Sequence, residues 1–128
     1  DVNWNIQRIK IKEKDIIMTK EQRQAVKILQ NQLKDTDAPS PDDLLWDTLV
    51  MFQRYPFQTA KKLEFFYIIK GNEMFVTRKD KSITRASVMM AFHKALELER
   101  VVTGPKKLGT FGASYLYPVF REIGVITC

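Results

Sequence analysis

Six basic side chains fall in two tight groups. Arg78, Lys79, Lys81 and Arg85 surround one connector, and Lys106 and Lys107 lie in a glycine-punctuated loop. Ammonium and guanidinium groups at such spacing hold anions, above all the phosphates repeated along a nucleic-acid backbone. The charge map agrees. Residues 54–107 carry 12 basic against 5 acidic side chains, residues 1–53 carry 8 against 9, and residues 108–128 carry one of each, so the net +6 belongs to the middle of the chain. A basic stripe of this kind is the electrostatic footprint of a nucleic-acid binder, and otherwise a well-solvated face.

Groups suited to bond-making chemistry are sparse. His93 is the single histidine and neighbours Lys94, which reads as a surface position. The one cysteine, Cys128, can form no internal disulfide, fits a reducing compartment such as the cytoplasm, and gives zinc or Cys/His nucleophile chemistry no second ligand. Ser82, Ser87 and Ser114 have no base or nucleophile-elbow context. Asp42, Asp43 and Asp47 invite a metal reading, but a helix start accounts for the first two. A carboxylate–lysine nuclease assembled from Glu64, Glu73 and Lys79 or Lys81 competes with cross-strand pairing of the same residues. Gly104 to Gly112 lacks the Gly-Lys-Ser/Thr ending of a P-loop, although its glycines and the helix behind it suit a phosphate. No catalytic residue, cofactor or metal is expected.

The elements that position these groups centre on residues 61–100. Leu63 to Lys70 and Glu73 to Arg78 are rich in aromatic and β-branched residues on either side of Gly71-Asn72, which predicts a hairpin with positive φ at Gly71, as in a type II′ turn. The register that follows pairs Lys70 with Glu73, Ile69 with Met74, Ile68 with Phe75, Tyr67 with Val76 and Glu64 with Lys79. It places Leu63, Phe65, Tyr67 and Ile69 on one face. Phe66, Ile68 and Phe75 then point the other way and need cover from helices or from a partner chain. Thr84 caps a helix running to about Arg100, with Val88, Phe92 and Ala95 inward.

Elsewhere, residues 6–12 alternate Ile9 and Ile11 with Arg8, Lys10 and Lys12, which predicts an edge strand. Thr19 with Gln22 is a capping-box pattern that opens a helix through about Lys34. Ser40-Pro41-Asp42-Asp43 predicts a helix capped by Ser40 and running to about Gln53. Phe111 to Ile123 predicts a last helix, broken or kinked near Tyr117 by Pro118, with a short strand at residues 125–127. The whole reads as one α+β domain over 1–128: a small antiparallel sheet built on a central β-hairpin, packed with about four helices. No run reaches the length of a membrane span.

Met74 to Leu98, followed by Lys107-Leu108-Gly109-Thr110-Phe111-Gly112-Ala113-Ser114, resembles the segment of tyrosine recombinases in which a Thr-Arg-capped helix leads to a Leu-Arg-His-Thr-Phe-Ala-type box. Gly109 stands where that box has its Arg-His pair, and neither Tyr115 nor Tyr117 sits in a nucleophile context. The resemblance therefore implies no catalysis. The functional expectation is a non-catalytic nucleic-acid-binding domain, with DNA-backbone contacts from Arg78, Lys79, Lys81 and Arg85 and a second anchor at Lys106 and Lys107. The alternatives are a homodimerising interaction module with incidental charge and an enzyme whose site carries no recognised motif.

Overall fold

A computed structural model describes residues 18–127. The edge strand expected at residues 6–12 lies outside the described residues, as does Cys128. The fold is α+β: helices α1 (Lys20–Leu33), α2 (Asp42–Met51), α3 (Arg85–Glu97) and α4 (Ala113–Glu122), with strands β1 (Phe57–Gln58), β2 (Glu64–Phe65), β3 (Tyr67–Lys70), β4 (Glu73–Val76) and β5 (Ile83–Thr84). Both sheets are antiparallel, β1–β2 and β3–β4–β5. None of the described helices is long and apolar enough to cross a membrane.

The hairpin forms in the expected register, with Tyr67 opposite Val76, Ile68 opposite Phe75, Ile69 opposite Met74 and Lys70 opposite Glu73. Gly71 holds φ +60°, and Asn72 does not share the positive φ, which excludes the type I′ turn. The outer pair fails, however. Thr77 still donates to the Phe66 carbonyl at 3.0 Å, and beyond it the chain leaves β4 so that Glu64 faces Gln58 on β1 rather than Lys79. A sheet this short has two partners competing for residues 64–65. Burying Phe57 and Phe65 against each other, with ring centroids 5.7 Å apart, outweighs an exposed Glu–Lys pair.

One hydrophobic face follows. Phe65, Tyr67, Met74, Val76 and Ile83 are buried, whereas Leu63, expected inward with them, is exposed. Tyr67 donates from its hydroxyl to the Leu49 carbonyl at 2.6 Å, and burial pushes its pKa well above 10. The free edge of β3 is closed by the end of α2: Arg54 donates to the Tyr67 carbonyl at 2.9 Å and Ile69 donates to Gln53 Oε1 at 2.7 Å. On the other face Phe66 and Phe75 stay 41% and 38% exposed, so that face is only partly covered by the described residues.

Helix ends are settled by side chains. The capping box of α1 forms, with the Gln22 amide N–H on Thr19 Oγ1 at 3.1 Å and the Thr19 N–H on Gln22 Oε1 at 2.9 Å. Carbonyls at the end of α2 and just beyond α4 are met by side chains from α1 and from the turn after α3. Gln22 donates to the Met51 carbonyl at 3.0 Å, Gln30 to Gly124 at 2.6 Å, and Arg100 to Gly124 at 2.7 Å and to Val125 at 2.8 Å. That placement requires α3 to stop at Glu97 rather than Arg100, because Glu99 and Arg100 turn into the left-handed region at φ 56° and 67°. Helix α2 begins one residue later than expected. Pro41 is its N-cap, and the Ser40 hydroxyl donates to Asp42 Oδ1 at 2.6 Å instead of capping. Helix α4 passes through Pro118 as one element, and Thr127 forms a parallel bridge to Val101.

Candidate nucleic-acid interface

The connector, residues 77–82, runs between β4 and β5, and the loop before α4 comes to meet it. Leu108 is buried and anchors that loop. At Gly112, with φ +81°, a β-carbon would lie 2.4 Å from Ile83 Cδ1 and 2.7 Å from its Cγ1. Only glycine lets the loop backbone press this closely on buried Ile83, two residues beyond Lys81. The result is a contact between distant stretches. The Lys79 ammonium sits 3.9 Å from the centroid of the Phe111 ring and the Lys81 ammonium 5.4 Å from it. Phe111 is 44% exposed and Lys81 is exposed beside it, while Lys79 is half-buried.

Tyr115 ties the same connector to the core. Its ring meets Phe65 edge-on at 5.1 Å, and its hydroxyl donates to the Arg78 carbonyl at 3.3 Å, while the Arg78 side chain stays exposed. Among the described residues no carboxylate lies within ion-pair distance of Arg78, Lys79 or Lys81, and Asp80 between the lysines is exposed. Two ammoniums over one exposed ring, with the exposed Arg78 next to Lys79 in the chain, can hold phosphates without first breaking an internal salt bridge.

Arg85 is not part of this group. As the first residue of α3 it donates to Asp43 Oδ1 at 2.8 Å and to Asn72 Oδ1 at 3.3 Å, with its guanidinium 5.1 Å from the centroid of the Trp46 ring. It joins the start of α2, the hairpin turn and the start of α3. Lys106 and Lys107 are exposed on the single 3-10 turn Pro105–Lys107, at the opposite end of the loop that delivers Phe111. They remain a separate cationic pair, packed with α4 through that turn.

The carboxylates are dispersed. Asp42 accepts from His93 Nε2 at 2.8 Å, Asp43 holds Arg85, and Glu73 accepts from the Ser82 hydroxyl at 2.7 Å, while Glu64 belongs to the other sheet. The nuclease grouping of Glu64, Glu73 and a connector lysine is therefore not assembled. Ser40, His93 and Asp42 do approach one another, but the serine hydroxyl and the carboxylate both address Nε2, at 3.3 Å and 2.8 Å. A hydroxyl–imidazole–carboxylate relay needs them on opposite ring nitrogens, so this trio does not have the geometry of a nucleophilic triad. Among the described residues no cluster of three or more His, Cys, Asp or Glu side chains is placed to hold a metal.

Phe111 is the residue the sequence reading missed. An apolar run beginning at Phe111 looks like the buried start of a helix, whereas helix α4 begins only at Ala113. The available signal was the setting, a phenylalanine close to two lysines and followed at once by a glycine. No protein-family model, no curated protein and no solved structure matches this chain. The resemblance to tyrosine recombinases accordingly adds nothing to the site.

Proposed function

We propose that this chain binds nucleic acid through its phosphate backbone, with Arg78, Lys79 and Lys81 as the principal contacts and Lys106 and Lys107 as a second anchor. The observation that supports this most is the convergence of Lys79 and Lys81 on solvent-facing Phe111, inside the segment where 12 basic side chains oppose 5 acidic ones. Cations held near one another without internal counter-charges bind a polyanion by releasing its condensed counterions. Duplex DNA of unrelated sequences titrated across a salt series tests the reading. Comparable affinities that fall steeply with salt are expected, and no binding of either duplex or single-stranded DNA at low salt would remove it.

A second reading has its own observation. Phe66 and Phe75 are 41% and 38% exposed on one face of the hairpin, beside half-buried Ile68, and such a face suits a second copy of the chain. Analytical ultracentrifugation tests it. A concentration-dependent dimer lost on Phe75→Ser supports the reading, and a monomer at every concentration removes it.

A further inference from the structure

We propose that Phe111 is a stacking platform and that the preferred ligand of this interface is a single-stranded nucleic acid rather than a duplex. The inference rests on the phosphate-binding reading and adds to it the class of strand. Lysines alone make no such distinction, since phosphates are exposed on both forms. A ring does, because bases inside a duplex are already stacked on each other and present only their edges, whereas an unpaired base offers its whole π-face.

Three features of Phe111 carry this. Phe111 keeps 44% of its surface in water, although the loop around it buries Leu108 and presses Gly112 onto Ile83. It is therefore held out by a rigidly fixed backbone. Its π-system is approached by the ammoniums of Lys79 and Lys81, at 3.9 and 5.4 Å from the centroid, so the groups that would meet phosphate surround the position a base would take. And a cation over a solvent-exposed ring is a weaker contact than a base stack, so an incoming base can displace the Lys79 ammonium from the ring. The released ammonium remains on the connector, within reach of the adjoining phosphate. The two contacts are coupled: one base seats as one lysine becomes free.

The experiment is fluorescence anisotropy with a labelled oligothymidylate and a labelled duplex of the same length, at one fixed salt concentration, for the unmodified protein, Phe111→Ala, Phe111→Leu and Phe111→Trp. The unmodified protein should bind the single strand more tightly. Phe111→Ala and Phe111→Leu should each weaken single-strand binding about tenfold and change duplex binding less than about twofold, while Phe111→Trp retains or improves it. Leucine keeps the apolar bulk that covers the loop, so its loss cannot be ascribed to unfolding, and thermal melting of each variant checks this. Equal losses on both probes, or no loss on either, would overturn the inference while leaving phosphate binding intact. Failure of the unmodified protein to bind either probe would overturn both.

Discussion

Among the cation–ring contacts of the described residues, those at the two ends of the hairpin are built differently. At the hairpin tip Arg85 lies over Trp46, a ring only 4% exposed, and its charge is answered by Asp43 and by the Asn72 side chain. At the hairpin base Lys79 and Lys81 lie over Phe111, which is 44% exposed, with no carboxylate in reach among the described residues. A cation with a buried ring below it and an acid beside it is committed to the fold. A cation with an exposed ring and no acid is free to meet a ligand. Position in the sequence does not separate them, since Arg85 stands only four residues after Lys81.

The comparison breaks most easily at the loop that builds the base. Gly112→Ala adds the strain of φ +81° to a collision with Ile83, whose side chain is fully buried and has nowhere to move. A loss of about 2–4 kcal/mol is expected in urea unfolding, together with loss of the Phe111–lysine group. Gly71→Val at the tip is the milder case. At φ +60° a side chain there would meet nothing within 4 Å, so only the backbone strain counts, about 1–2 kcal/mol by the same measurement. If the two substitutions cost the same, the packing of the loop against β5 is not what fixes the base.

Arg85→Ala comes next. Its ion pair is with an exposed carboxylate and is worth little, but the contact with Trp46 and the bond to Asn72 add to it, for a total of about 1 kcal/mol. Replacing Lys79 and Lys81 together by alanine should cost least, about 0.5 kcal/mol, because Lys81 is exposed, Lys79 is only half-buried, and neither is ion-paired among the described residues. A melting temperature that falls more for the lysine pair than for Arg85→Ala would reverse the assignment of the two ends.

How much of this the sequence shows depends on the range of the interaction. The hairpin is legible because its turn residue, its charges and its hydrophobic alternation all lie within a few positions and agree on one register. The capping box of α1 and the Thr84 cap are legible for the same reason. Strand β1 is not, since two residues leave no period to detect and Pro56 suggests a break. Nor are the left-handed turns at Lys62, Glu99 and Arg100, where no glycine marks the place and tertiary bonds decide, as Arg100 does by reaching Gln30, Gly124 and Val125. Arg85 groups with the connector in sequence because it stands only four residues after Lys81. Its partner Asp43 lies 42 positions away and looks locally like a helix-dipole residue. Phe111 reads as a helix start because its apolar run outweighs the weak local sign, two nearby lysines and a following glycine, that it stays exposed.

The salt dependence of duplex-DNA binding separates the two ends most directly. Each phosphate neutralised contributes about 0.9 to the slope of log affinity against log salt. Lys79→Ala with Lys81→Ala should lower that slope by about two units and weaken binding to all sequences alike. Arg85→Ala and the control pair Lys20→Ala with Lys27→Ala, which removes two exposed charges from α1, should leave the slope unchanged. A slope lowered as much by Arg85→Ala or by the α1 pair as by the connector pair would contradict the account.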